Sequence, residues 1–261
     1  MTIATFLIAL LGAMALGAPI AFALLICGVA LMVQMDNFDT QIIAQNLLEG
    51  ANNYPLMAVP FFMLAGELMN AGGLSRRVVE VADSLVGHVP GGLGYVAVIT
   101  AAVVASISGS AVADTAAVAA LLIPMMRNAG YSVPRSAGLI AAAGCTAPVI
   151  PPSIPLVVFG VTTQLSITKL FMAGIAPGLM MAVVLAMTWR LVSQRESSHL
   201  HPFDAKRVLR ALRDGVWALV LPVVIIGGMR AGIFTPTEAA VVAVFYSLFV
   251  GLFIYRELQF R

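Results

Sequence analysis

Long stretches without a single charge constrain this chain more than any motif in it. Asp, Glu, Lys and Arg are all absent from residues 1–35, 50–66, 136–168, 170–189, 215–229 and 239–255, and residues 91–126 hold only Asp114. About 20 apolar residues, rising 1.5 Å each, cross the ~30 Å hydrocarbon layer of a bilayer. Each stretch is therefore read as a span, a pair of spans or a re-entrant segment. Composition agrees: of 261 residues 61% are hydrophobic and 10% charged, with a mean hydropathy of +1.00, against about 25% charged in soluble domains. A soluble globular domain is excluded. So is a membrane β-barrel, whose strands alternate apolar and polar residues. The expected class is all-α, a polytopic helical membrane protein embedded in a lipid bilayer. A net charge of +2 gives no sign of nucleic acid, because the basic residues sit between spans and report orientation instead. The first charge of any sign is Asp36, so the basic start of a cleavable signal peptide is missing and the first segment reads as retained membrane helix.

Orientation follows from the basic linkers. Arg190, Arg195, Lys206, Arg207, Arg210 and Arg213 place the 190–213 linker in the cytoplasm. Counting back, 170–189 is one span, the Gln164–Lys169 loop lies outside, and 138–160 returns Arg127 and Arg135 inside. Arg76 and Arg77 also want the inside, so 91–126 must leave and return on one face, as two short spans or a re-entrant hairpin. Its middle, ASISGSAVADTAA (Ala105–Ala117), is too polar to face lipid and must be buried in protein or line a water-filled cavity. Residues 2–35 are too long for one crossing, and Gly17-Ala18-Pro19 is the expected turn between two shorter spans.

Two segments carry oxygen-rich chemistry. AAAGCTAPVIPPSIPLVVFG (Ala141–Gly160) holds Pro148, Pro151, Pro152 and Pro155 in one uncharged stretch. Each proline removes an N–H donor and clashes a turn earlier, so the helix must break and free the carbonyls of roughly Gly144 to Pro151. Unpaired carbonyls at membrane depth suit a dehydrated Na⁺; Thr146, Ser153 or a neighbouring helix re-satisfying a kink is the plainer alternative. In the hairpin, Ser106, Ser108, Gly109 and Ser110 offer hydroxyls and carbonyls, or simply close small-residue packing. Asp114 is open to three readings: ion ligand, proton carrier, or an anion stabilised by the N-terminus of the hairpin's second arm.

Other polar residues read as structural. Thr235-Pro236-Thr237-Glu238 spells a capping box with proline at the first helical position. Glu67 sits beside Asn70 at the inner end of its span. His88, His199 and His201 lie in linkers as solvated groups, and no histidine in any span could serve a hydrolase, so no enzyme is expected. Cys27 and Cys145 read as packing residues rather than a disulfide or metal pair. Leu74–Val86 looks amphipathic, suited to the cytoplasmic membrane surface. Finally, Leu11–Met32 is weakly similar to Ile226–Leu252, each a span, a Gly-rich turn with Pro, and a second span. By the charge count the two pairs run in opposite senses, the mark of an inverted-repeat transporter.

VPFFMLAGELMNAGGLSRR (Val59–Arg77), ISGSAVADTAAVAALLIPMM (Ile107–Met126), AAGCTAPVIPPSIPLVVFG (Ala142–Gly160), KLFMAGIAPGLMM (Lys169–Met181) and AGIFTPTEAAVVAVFYSLFVG (Ala231–Gly251) together resemble the large membrane subunit of tripartite ATP-independent periplasmic (TRAP) transporters. The resemblance implies a sodium-driven, elevator-type symporter of organic anions such as C4-dicarboxylates or sialic acid, in the bacterial inner membrane. It implies no cofactor beyond Na⁺ as coupling ion. Its partners would be a small four-helix membrane subunit and a periplasmic substrate-binding protein. Ion and substrate sites would include Ser106, Ser108, Gly109, Ser110, Asp114, Thr146, Pro148, Pro151, Pro152 and Ser153. On this pattern 1–90 holds scaffold-type spans and the amphipathic helix, 91–162 the transport-type hairpin and broken helix, 163–213 a span and basic linker, and 214–261 the opening spans of a second, inverted repeat. The family's second half carries its own hairpin and broken helix beyond that opening pair. The expectations are therefore a truncated or split permease, or alternatively a non-transporting remnant or assembly subunit.

The topology is checked by labelling single cysteines in a background lacking Cys27 and Cys145. Ser197→Cys should react with an impermeant maleimide only when the cytoplasmic face is open, and Gln164→Cys from the opposite face; the reverse pattern overturns the orientation.

Overall fold

The computed structural model describes residues 2–193 and 203–258, and these are helical with no strand. Contacts divide the chain into 1–53 and 54–261. The first unit holds α1 (Thr2–Ala15), α2 (Ile20–Gln34) and α3 (Thr40–Ala51). In the second, a 3₁₀ turn (Tyr54–Met57) leads into α4 (Ala58–Ala71), α5 (Leu74–Val86), α6 (Gly92–Ser108), α7 (Ala111–Asn128), α8 (Val133–Gly144) and α9 (Ile154–Thr163). Then come α10 (Ile167–Ser193), α11 (Ala205–Arg230) and α12 (Pro236–Phe249), which runs on through a π-helical turn, Val250–Ile254. Among the described residues α10 and the continuous Pro236–Ile254 segment are long and apolar enough to cross a membrane alone. The 3₁₀–α4 segment and α5 pass the same test jointly, bent by 66° at Gly72–Gly73. The molecule is thus an all-helical polytopic membrane protein. Many helices are shorter than a full span because glycine and proline cut the apolar stretches: Gly17 and Pro19, Gly109, and the prolines after Gly144.

The repeated turn seen in the sequence is a repeated structure. Gly17 sits at φ +81°, with Ala18 N–H on Ala13 O and Gly17 N–H on Met14 O. Gly232 sits at φ +72°, with Ile233 N–H on Gly228 O and Gly232 N–H on Met229 O. Both are Schellman endings that need a left-handed residue, which glycine supplies without steric cost. Each is followed by a proline that opens the next helix. At the second turn the predicted capping box is present: Thr235 Oγ1 accepts from Glu238 N–H and Glu238 Oε2 accepts from Thr235 N–H at 2.8 Å.

Helix α5 is amphipathic as read, but its apolar side meets protein. Leu74, Val78, Val79, Val81 and Ala82 are buried, packed against α6 and α11. Gly215 of α11 makes that approach possible, since a side chain there would run into Val81. Asp83 ties the same pair by accepting from Arg207 at 2.5 Å. Arg77 reaches Glu257 at 2.6 Å and stacks on the Tyr255 ring at 3.8 Å. His88 is not solvated either: its ring meets Phe203 edge-on at 5.1 Å. His199 and His201 lie outside the described residues.

Trp189 pins α10 to the start of α6. Its indole N–H donates to Gly91 O at 2.8 Å, its ring stacks on Tyr131, and Gly94 leaves the space it fills. Truncating a buried aromatic of this size costs about 3–5 kcal/mol. Trp189→Ala should therefore lower the thermal midpoint in detergent sharply, whereas Leu191→Ala, 74% exposed on the same helix, should leave it near wild type.

Candidate functional site at the hairpin tip and proline break

Helices α6 and α7 run out and back about a tight turn at Gly109, a path that both readings of residues 91–126, two short spans or a re-entrant hairpin, share. The turn is one left-handed residue, Gly109 at φ +63°, and Ser110 then caps α7 by accepting from Ala113 N–H at 3.4 Å. Asp114 lies in the first turn of α7 and reaches across the hairpin, where Ser108 of α6 donates its hydroxyl to Oδ1. Its other oxygen, Oδ2, is buried without a hydrogen-bond partner among the described residues. An unpartnered carboxylate oxygen on a residue only 2% exposed is costly unless something polar meets it. The placement near the α7 N-terminus matches the helix-terminus reading, and the orphaned oxygen is what a ligand or proton reading requires. Ser106 donates to Val103 O at 2.5 Å, which leaves lone pairs on its oxygen.

The break runs from Cys145 to Ser153, between α8 and α9. It differs in one respect from the sequence reading. The chain coils into successive turns, so Gly144 O accepts from Ala147 N–H, Thr146 O accepts from Val149 and Ile150 N–H, and Pro148 O accepts the Ser153 hydroxyl at 2.6 Å. Three of the carbonyls expected to be free are therefore used. Those of Cys145, Ala147, Val149, Ile150, Pro151 and Pro152 take no backbone N–H among the described residues. Pro151-Pro152 is a cis peptide. Ser153 caps α9 by accepting from Leu156 N–H at 3.4 Å, and Thr146 donates to Ala143 O at 2.7 Å. Thr146, Ser153, Pro151 and Pro152 are buried. Cys145 is exposed and Cys27 buried, both as free thiols.

Three glycines bring these pieces together. Gly66 of α4 lies directly against Ser108, Gly109 against the Pro152 carbonyl and Ser153, and Gly144 of α8 against Thr115 of α7. A side chain at any of the three would collide. Small-residue packing and clustered oxygens are thus one arrangement here. Beside the tip a cleft of about 20 Å³, room for one small ion or water, is lined by Met63, Gly66, Glu67, Asn70, Ser108 and Ser110.

All ten sequence-selected residues fall in the hairpin tip or the break, and the Gly109–Pro152 contact joins the two. Glu67 and Asn70 were passed over as interfacial, yet they line the tip cleft; Gly66, the small residue that lets α4 reach Ser108, was the available signal. Chemically the site offers hydroxyl oxygens, one carboxylate, unpaired carbonyls and the N-terminal ends of α7 and α9. No cluster of three or more His, Cys, Asp and Glu suited to a metal occurs among the described residues. The donors are hard oxygens, which suit a hard cation rather than a metal that prefers thiolate or imidazole ligands.

Comparison with known proteins supplies the family. The family model "Tripartite ATP-independent periplasmic transporter, DctM component" matches residues 7–261. The chain is 58% identical, over its whole length, to the 2,3-diketo-L-gulonate TRAP transporter large permease protein YiaN of Escherichia coli, covering 61% of that protein. It is 39% identical over 252 residues to the sialic acid TRAP transporter large permease protein SiaM of Vibrio cholerae, covering 96% of this chain and 59% of that one. It is 40% identical over 218 residues to the C4-dicarboxylate TRAP transporter large permease protein DctM of Pseudomonas aeruginosa, 83% of this chain and 51% of that one. The chain thus spans about 60% of the length of the first relatives it matches. It belongs to the DctM-component family of tripartite ATP-independent periplasmic transporters.

Proposed function

We propose that this chain forms the first half of a bacterial inner-membrane permease that imports organic anions down a sodium gradient. The observation that carries the reading is the meeting of the Ser108-Gly109-Ser110 tip with the Pro148–Ser153 break, two interrupted helices joined at a cluster of oxygens. Interrupted helices use unwound carbonyls for cations and half-helix N-termini for carboxylates. In this chain the coupling ion, as co-substrate, would draw on Ser106, Ser108, Asp114, Thr146 and the break's carbonyls. The anion would face the N-termini of α7 and α9, capped by Ser110 and Ser153, since no Lys or Arg lines the tip cleft among the described residues. The hairpin is read as re-entrant and as part of a moving, elevator-type body, because its polar tip is tolerable at membrane depth only under protein cover.

The remaining length, carried by the relatives beyond this chain's span, would supply the opposing hairpin. A small four-helix membrane subunit and a periplasmic binding protein would complete the system, the latter delivering the anion. The relative named for 2,3-diketo-L-gulonate is 58% identical, which makes that sugar acid the first substrate to test, ahead of sialic acid and C4-dicarboxylates.

The experiment reconstitutes the chain, joined to the missing length and with both partners, in liposomes. Uptake of labelled 2,3-diketo-L-gulonate should require an inward sodium gradient. Equal uptake without sodium contradicts the coupling, and no uptake of any of the three anions by a folded assembly favours the remnant or assembly-subunit reading.

Two variants separate the parts of the site. Asp114→Asn should raise the half-saturating sodium concentration at least tenfold while leaving the anion's apparent affinity, measured at saturating sodium, within about twofold. Gly109→Val should abolish uptake, because a β-branched residue at φ +63° is strained by roughly 1–2 kcal/mol and would strike the Pro152 carbonyl. Wild-type sodium dependence in Asp114→Asn removes that residue from the ion site.

A further inference from the structure

The tip cleft contains two side chains to which the coupling-ion reading gives no role, Glu67 and Asn70 of α4. Spaced i, i+3, they share one face of the helix, and Gly66 sets α4 against Ser108. Glu67 is exposed and makes no hydrogen bond or ion pair among the described residues. A bare carboxylate in an apolar helix faces a water-filled path rather than lipid. Asn70 is held in place: across the bend at Gly72–Gly73 the hydroxyl of Ser75, itself 3% exposed, donates to Asn70 Oδ1. That bond fixes the amide plane and leaves the Nδ2 donors for the cleft. Ser110 and Ala113, at the start of α7, line the same cleft, so carboxylate acceptors, amide donors and a helix N-terminus meet at one place.

A carboxylate beside an amide is a pairing suited to hydroxyl groups: the carboxylate accepts their protons and the amide donates to their oxygens. The carboxylate also rejects. A second negative charge brought to Glu67 finds no Lys or Arg lining the cleft to offset it, and like charges at close range discriminate strongly against the wrong ligand. We infer that Glu67 and Asn70 are specificity-determining residues, selecting an anion with one carboxylate and several hydroxyls over an anion with a carboxylate at each end. The single carboxylate lies at the α7 N-terminus, and the hydroxyl-bearing carbons lie along Glu67 and Asn70. Ser75 is a positioning residue that acts through Asn70. The inference rests on the anion-import reading and narrows its substrate class.

The test uses this chain joined to the missing length and assembled with its small subunit, in detergent with saturating sodium and no binding protein. Apparent affinity is read from the ligand-induced rise in thermal midpoint. Three acids of equal chain length are the probes: gluconate, rich in hydroxyls; hexanoate, with none; and adipate, with a second carboxylate. Gluconate should bind tightest and adipate weakest. Glu67→Gln keeps the side chain's shape and removes its charge, so gluconate should weaken about fivefold, adipate should tighten about threefold and hexanoate should not change. Ser75→Ala should weaken gluconate about threefold and leave hexanoate alone, whereas a merely structural role would weaken both. Matching midpoints without ligand exclude misfolding. Sodium-driven uptake in liposomes separates this inference from the reading beneath it. Glu67-dependent gluconate binding by an assembly that moves no anion removes transport and keeps the pair. The pair is overturned if Glu67→Gln leaves the order of the acids and their affinities unchanged, or if none of the acids shifts the midpoint. A rise in half-saturating sodium as large as that of Asp114→Asn gives Glu67 to the ion instead and overturns it equally.

Discussion

A bilayer has no water with which to satisfy a stray peptide group, and each unsatisfied group in hydrocarbon costs several kcal/mol. This chain nevertheless breaks its backbone within apolar sequence, and two of those breaks, at Gly109 and between Cys145 and Ser153, meet. Both breaks persist because they cover each other. Gly109 abuts the Pro152 carbonyl, Gly66 of α4 closes on Ser108, and Gly144 seats Thr115. The serine and threonine hydroxyls then do local repair: Ser110 and Ser153 cap the helices that restart, while Thr146 and Ser106 return protons to carbonyls one turn back. What remains unpaired after that repair is Asp114 Oδ2 and a set of carbonyls in the break, and these define the site.

The rest of the second unit holds that cluster in place. Trp189 fixes α10 to the entry of α6, and the apolar side of α5 packs against α6 and α11. Polar ties join the α5 and α11 elements at Asp83–Arg207 and hold the end of the described chain at Arg77–Glu257. These ties are partly exposed, so packing of Leu74, Val78 and Ala82 contributes more to stability than the ion pairs do.

Much of this was legible in the sequence because membrane residence leaves few options. Charge-free stretches marked the helices, the charge count required residues 91–126 to leave and return on one face, and four prolines in eight residues forced the break. Local signatures also survived: the capping box at Thr235 and the Gly-then-Pro turns near Gly17 and Gly232 formed as spelled. What escaped was tertiary. Glu67 and Asn70 line the tip cleft only because α4 crosses there, and nothing in their local sequence states which helix Gly66 meets. The α5 amphipathic pattern fixes that one side is apolar but not whether lipid or α11 covers it. The break's carbonyls were overcounted because proline removes donors without dictating how the intervening residues coil.

The central claim is that the hairpin tip and the proline break form one cation-responsive site. Its most direct test is the structure of the complete permease in lipid nanodiscs, solved once in sodium and once in choline. The account predicts density within coordination distance of the Ser108–Asp114 pair or the break carbonyls in sodium only, with Gly109 still against Pro152. A site with identical density in both salts, or a tip that stands clear of the break, would contradict it.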